Sequence, residues 1–351
     1  MPELPEVETV RRGLTSLILG RRIAAVEVLK PKSFPREPGD LAHVVGARVS
    51  GIRRYAKLLA IDLDTGWSLV AHLKMTGQMV FRDDHDTEVW GAGHPTASFL
   101  SHLPDNSTRV IFHLTDKTAP SPGLCDSAVE PDDGTVGGPV APVGGAVGVG
   151  VSPADSPYHL FFNDQRIFGW VRAIPSEQVE ELDFVAKLGP EPLTPDGEQL
   201  TGALAKRAET EYLSRVRRRA GSAVKAAILD QTVIAGVGNI YADEALWSAK
   251  VHPATRVRDL TDTQLRSIFR SAGLAMWQSL AAGGSTMRDY IQADGTPGSY
   301  LDKFANVFRR EGQPCPRCGA AIEKTRVAGR GTHVCPRCQR PPRTDSDFHI
   351  G

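Results

Sequence analysis

Residues 229–247 read LDQTVIAGVGNIYADEALW, and the fold turns on what stands before their glycines. Within them GVGNIYA (236–242) imitates the GxGxxG/A fingerprint of dinucleotide-binding folds, which requires a strand immediately ahead of the first glycine. AVKAAILDQ (223–231) instead has helical character, so the Rossmann reading fails. What remains is a helix, a glycine-rich double turn and a second helix starting near Asn239. Free backbone N–H groups and a helix-dipole end at such a turn can grip a phosphate. Lys225 and the run Arg217-Arg218-Arg219 add charge nearby, although such runs commonly form only a solvated face.

Outward from this stretch the pattern is helical: GEQLTGALAKRA, SAVKAAILDQ, IYADEALWSAK and LTDTQLRSIFRSAGLAMWQSLAAGG follow one another from residue 197. LGPEPLTPD (188–196), with three prolines, marks a linker. Toward the N-terminus the period changes. IAAVEVL, ARVSGIRRYAKLLAIDL, WSLVAHLKM, TRVIFHL and YHLFFNDQRIFGW read as short strands bounded by Gly, Pro and Asp. They follow one helix, in which Pro5 is a favoured first residue and Val7, Val10, Leu14, Leu17 and Ile18 share a face. The expected fold is α+β in two domains: a helix-led N-terminal β-sandwich over 1–175, a linker over 176–195, a helical domain over 196–305 and a cysteine-bearing end over 306–351. Residues 118–157, rich in Gly and Pro without any sustained period, read as a disordered excursion in a hairpin, and Cys125 within them as incidental.

The formal net charge is zero, which argues against a nucleic-acid partner until the charges are placed. Residues 196–351 hold 23 Lys+Arg against 16 Asp+Glu, whereas residues 116–157 hold six acids and one base. The C-terminal half is basic, and neutrality is largely the work of that acidic segment. No run of about 18 apolar residues exists, and the N-terminus lacks a secretory pattern. A cytosolic protein is expected.

Cys315-Pro-Arg-Cys318 and Cys335-Pro-Arg-Cys338 form a C-x2-C-x16-C-x2-C arrangement. Two tight turns each offering two thiolates suit one tetrahedral Zn2+, and four protein ligands leave no open position, so the metal is structural. Between the pairs, Arg330 stands beside glycines at a hairpin tip. It is either a solvated charge or a phosphate contact.

The chain opens MPELPEVETV. If Met1 is trimmed, Pro2 presents a secondary amine whose pKa near ~8 leaves it partly neutral, hence a possible nucleophile. The alternative is that Met-Pro is merely a permissive start. Taken together, MPELPEVETVRRGL, the lysine of RRYAKLL, HLKMTGQ, FNDQRIFG, LGPEPL, LDQTVIAGVGNIYADEAL, GGSTMRDY and the four cysteines occur in the order that resembles the formamidopyrimidine-DNA glycosylases, over nearly the whole chain except 117–157. The related endonuclease VIII enzymes share the layout but favour oxidised pyrimidines, and the PELPE start looks more like the purine-directed branch.

The resemblance implies a base-excision repair enzyme acting on oxidised purines, 8-oxoguanine and formamidopyrimidines, in double-stranded DNA. It implies that Pro2 attacks C1′ and forms a Schiff base, that the abasic site is then cleaved by β,δ-elimination, that Glu3 is the acid/base carboxylate, and that Lys57 contacts phosphate and moves protons. Met75, Arg166 and Phe168 would fill the gap left by the flipped nucleotide. Asn239 and Arg330 would hold phosphates with Lys225 near them, and Glu244 would stand near the amine. A monomer is expected, cytoplasmic and nucleoid-associated in a bacterium. The rival reading is a non-catalytic protein that senses distorted duplex, which explains the basic half but not Pro2, Glu3 and Lys57 together.

Overall fold

Pro5 and Glu6 sit in the first turn of α1 (Leu4–Ile18), where a fixed φ and an acid both favour the helix start. Its buried face carries Val7, Val10, Leu14 and Ile18, as the spacing predicts. The computed structural model describes residues 2–35, 40–85, 89–93, 103–117, 147–148, 156–283 and 303–342. The loop 284–302, Cys125 and most of 118–157 therefore lie outside the described residues.

Ten strands follow α1: β1 (Ile23–Val28), β2 (Val49–Tyr55), β3 (Leu58–Leu63), β4 (Trp67–His72), β5 (Gly77–Asp83), β6 (Val89–Gly93), β7 (Thr108–Leu114), β8 (Val147–Gly148), β9 (Tyr158–Asp164) and β10 (Trp170–Pro175). They form two antiparallel sheets, in the orders β6-β5-β9-β7-β1-β8 and β10-β4-β3-β2. Val26, Phe112 and Phe162 of the first sheet meet Leu59, Ile61 and Val171 of the second in one core. This is the β-sandwich the alternating segments imply. Within 118–157, Val147 and Gly148 of β8 pair with Val26 and Ala25 on the edge of the larger sheet.

The stretch 176–195 is packed, not loose. It contains α2 (Asp183–Ala186), and its Val179 and Val185 cover the outer face of the smaller sheet against Leu58, Ala60 and Val70. Four helices follow: α3 (Gly202–Arg217), α4 (Val224–Leu229), α5 (Asn239–Ser248) and α6 (Asp262–Ala281). α6 starts from a reciprocal cap in which Gln264 N donates to Thr261 Oγ1 and Thr261 N to Gln264 Oε1. Tyr212, Ile240, Tyr241, Leu246 and Phe269 make the helical core, and Leu4 of α1 belongs to it. One helix thus enters two cores. β11 (Glu323–Val327) and β12 (Arg330–Val334) close the chain as a hairpin. Among the described residues no helix is long and apolar enough to cross a membrane.

Candidate active site

The double turn between α4 and α5 is stapled by Gln231. Its Nε2 donates to Leu229 O at 3.0 Å and Val237 O at 2.8 Å, while its Oε1 accepts from Gly236 N at 3.0 Å. Gly236 has φ +85°, and a Cβ there would meet Leu4. Gly238 leaves room for a carboxylate, because a Cβ on it would stand 2.3 Å from Glu3 Cδ. Glu3 fills that room: Oε2 accepts from Gly238 N at 2.7 Å and Oε1 from Ile240 N at 3.0 Å. The N–H groups that the sequence offers to a phosphate therefore hold a side chain from the other end of the chain.

Burial pushes the Glu3 carboxyl up to about 7, against the opposing pull of Lys57. Lys57 is buried as well, which lowers its pKa, and its Nζ donates to Val237 O at 2.8 Å. Pro2 is buried just ahead of α1. A cleft of about 930 Å3 opens here, and Glu3, Lys57, Met75, Asn239 and Arg330 all line it. Asn239 Nδ2 donates to Gly331 O at 3.0 Å, which ties the start of α5 to the hairpin tip.

Met75, Ile167 and Phe168 are 38%, 42% and 58% exposed, unusual for large apolar side chains. Their backbone is fixed from behind by Asp164, whose Oδ2 accepts from Phe168 N at 2.7 Å and Gly169 N at 2.6 Å, and whose Oδ1 accepts from Arg166 N at 3.2 Å and from Thr76 Oγ1. Thr76 Oγ1 also accepts from Arg166 N at 3.0 Å, joining the Met75 turn to the Arg166 loop. Non-glycine residues with left-handed φ flank these positions: Ala56 before Lys57, Lys74 before Met75, and Ile167 between Arg166 and Phe168. Such conformations persist only where surrounding structure imposes them.

Lys225 and Glu244 are both held by partners far along the chain. Lys225 is fully buried and its three donors are taken, by Asp243 Oδ1 at 2.6 Å, Thr332 Oγ1 at 2.8 Å and Gly331 O at 3.0 Å. It docks the hairpin on α5 and offers no proton to a phosphate, a correction to its reading as a DNA contact. Arg217 and Arg219 of the basic run are likewise paired, with Asp262 and Asp230. The Glu244 carboxylate accepts from the backbone of Asn306, Val307 and Phe308, each at 2.9 Å, and so anchors the segment leading to the cysteines.

Sequence reasoning missed His72. Its ring lines the cleft, its Nδ1 accepts from Lys74 N at 3.0 Å, and burial with nearby Lys74 and Lys57 presses its pKa to about 3. It is a neutral ring whose proton sits on Nε2. It also missed Arg54, which is buried between Glu8 of α1 at 3.0 Å and Glu191 at 2.6 Å and joins the two cores. Both residues stand inside quoted motifs; the carboxylates that hold Arg54 are 46 and 137 residues away, and the contact that fixes the His72 ring is to backbone, which no residue type advertises.

The four cysteine sulfurs lie within 4.8 Å of one another, with Cys315 Sγ 4.0 Å from Cys338 Sγ and Cys318 Sγ 3.4 Å from Cys335 Sγ. Four Zn–S bonds of about 2.3 Å at tetrahedral angles place sulfurs about 3.8 Å apart. The donors fit one structural Zn2+, and Trp247 Nε1 donates to Cys315 Sγ at 3.3 Å.

Three family models match the chain in order along its length. Models of the formamidopyrimidine-DNA glycosylase N-terminal domain, of its H2TH domain and of the zinc finger found in FPG and IleRS match residues 1–119, 188–290 and 312–341. The chain belongs to the formamidopyrimidine-DNA glycosylase family. Relatives bearing that name include one from Listeria innocua, 34% identical, and one from Roseiflexus, 36% identical, each covering 97% of this chain and aligned over its own full length. Among solved structures of the family, a complex of the Lactococcus lactis enzyme with abasic-site DNA superposes with TM-score 0.71 at 27% identity. The Thermus thermophilus protein superposes with TM-score 0.69 at 31% identity. Each covers 97% of this chain and all of its own.

Proposed function

We propose that this chain excises oxidised purines from double-stranded DNA and then cleaves the abasic strand, with Pro2 as the nucleophile. The observation that carries the reading is a buried carboxyl poised near neutrality, Glu3, held by the backbone of the double turn beside Lys57 and directly after Pro2. The amine nitrogen bonds to C1′ as the C1′–base bond breaks and its electron pair leaves with the base. Glu3, partly protonated at pH 7, supplies a proton to the opening sugar ring. The nitrogen loses its proton and its lone pair expels O4′, which keeps the Glu3 proton, leaving an iminium; removal of a C2′ proton by a base in the cleft then expels the 3′ phosphate, and removal of a C4′ proton expels the 5′ phosphate.

Lys57, His72, Asn239 and Arg330 are positioned to meet phosphates at the cleft, and Met75, Arg166 and Phe168 to replace the extruded nucleotide. We read 1–175 as the catalytic domain, 176–195 as its connection, 196–305 as the double-turn DNA-binding domain and 306–351 as the zinc finger. The enzyme acts as a monomer in the bacterial cytoplasm, on the nucleoid.

Borohydride trapping on a duplex with one 8-oxoguanine tests this. The expected result is a covalent adduct that maps to Pro2. Strand cleavage with no adduct overturns the proposed nucleophile, and trapping only on oxidised pyrimidines shifts the enzyme to the endonuclease VIII specificity.

A further inference from the structure

On the outer face of the larger sheet, His113 of β7 and His159 of β9 stand directly opposite each other. Their Nδ1 atoms are 3.1 Å apart and their rings nearly perpendicular, at 88°. The remaining nitrogen of each ring faces an acid: His159 Nε2 lies 3.0 Å from Asp84 Oδ2, and His113 Nε2 lies 3.7 Å from Glu27 Oε2. A carboxylate only accepts, so His159 Nε2 carries the proton and its Nδ1 is a bare lone pair. His113 Nδ1 must then donate, which strips Nε2 of a neutral His113 and points that lone pair toward Glu27. That Nε2 is buried with no hydrogen-bond partner.

One added positive charge between the rings removes the conflict, because both Nε2–H groups can then face carboxylates. A proton could supply it, opposed at His113 by burial and by His159; so could a metal ion, for which the geometry is set. We propose that the two Nδ1 atoms bind a transition-metal ion of the imidazole-preferring class, Zn2+, Co2+ or Ni2+, with water completing its coordination. Two imidazole nitrogens on one tetrahedral ion at about 2.0 Å each stand about 3.3 Å apart, close to the spacing here. Carboxylates on the far ring nitrogens are the usual companions of metal-bound histidine. Among the described residues, Arg82 is a cation beside the site, and its charge is directed to Asp84 at 3.3 Å. β7 and β9 are the strands between which residues 115–157 are inserted, so a metal here clamps the neck of that excursion.

The test uses the full chain with its cysteine site loaded with zinc, titrated with Co2+ and followed by visible absorption. The expected result is one further equivalent bound without thiolate-to-cobalt bands. Affinity should fall at least about tenfold in His159→Gln and in Asp84→Asn, the latter a half-exposed site that leaves the sheet intact. No uptake at millimolar Co2+, uptake only with thiolate bands, or equal affinity in both variants overturns the proposal.

Discussion

Two buried carboxylates, Glu3 and Asp164, hold the two halves of the cleft in opposite ways. Asp164 accepts from four donors in two adjoining loops, so its oxygens are saturated and it acts as a rigid peg for exposed side chains. Glu3 accepts two backbone N–H groups from a segment more than two hundred residues away and a third from Glu6 in its own helix, and so is the less fully satisfied of the two. A saturated carboxylate is a scaffold, whereas a buried and under-satisfied one remains able to take and give a proton.

The largest effect should come from removing that capacity. Glu3→Gln is expected to lower base release from 8-oxoguanine by about 10²–10⁴-fold in single-turnover assays, with duplex affinity changed by only a few fold. An equal loss of binding would make Glu3 a scaffold like Asp164. The complementary change, Asp164→Ala, strands several backbone donors and should cost about 3 kcal/mol or more in urea unfolding. A cost near zero would dissolve the contrast from the other side.

Glu3 also carries a pH signature. Because its folded pKa, about 7, exceeds the 4.5 of an unperturbed carboxyl, the native state holds this proton more tightly than the unfolded chain does. Stability from this group is present below about pH 4.5 and is lost as pH rises through 7. Glu3→Gln cannot ionise, so it should gain on the order of 1–3 kcal/mol over the unmodified protein at pH 8 and little at pH 4, read from melts at both. At the exposed tip the sign of interest reverses: Phe168→Ala should leave stability within about 0.5 kcal/mol while weakening lesion-duplex binding by about 1–3 kcal/mol. The smallest change belongs to Arg330→Ala, which should flatten the slope of log affinity against log salt by about 0.9, one phosphate.

Much of this was legible because it is local. The alternation in TRVIFHL and YHLFFND, the helical spacing around Val224 and the C-x2-C pairs each announce their element within a few residues. What stayed hidden depends on partners far along the chain. Lys225 looks like a surface cation in AVKAAIL, and only the return of Thr332 and Gly331 over α5 shows that it is enclosed. Asp164 and Gln231 lie inside the quoted motifs, yet their work is to hold backbone, which no residue type advertises. The histidines on β7 and β9 are 46 residues apart and meet only through strand register.

α1 enters both cores, and this sets an order in time. A ribosome releases Pro2 and Glu3 first, but Gly236, whose carbonyl receives Leu4 N at 3.1 Å, and Gly238, which seats Glu3, emerge only after most of the chain. At about 5–20 residues per second the terminus waits roughly 10–50 s for its seat. On the proposed reading, that interval is when Met1 stands free for an aminopeptidase, before Leu4 and Glu3 settle on the double turn and Pro2 is buried ahead of α1. Folding and maturation of the terminus then run against one clock.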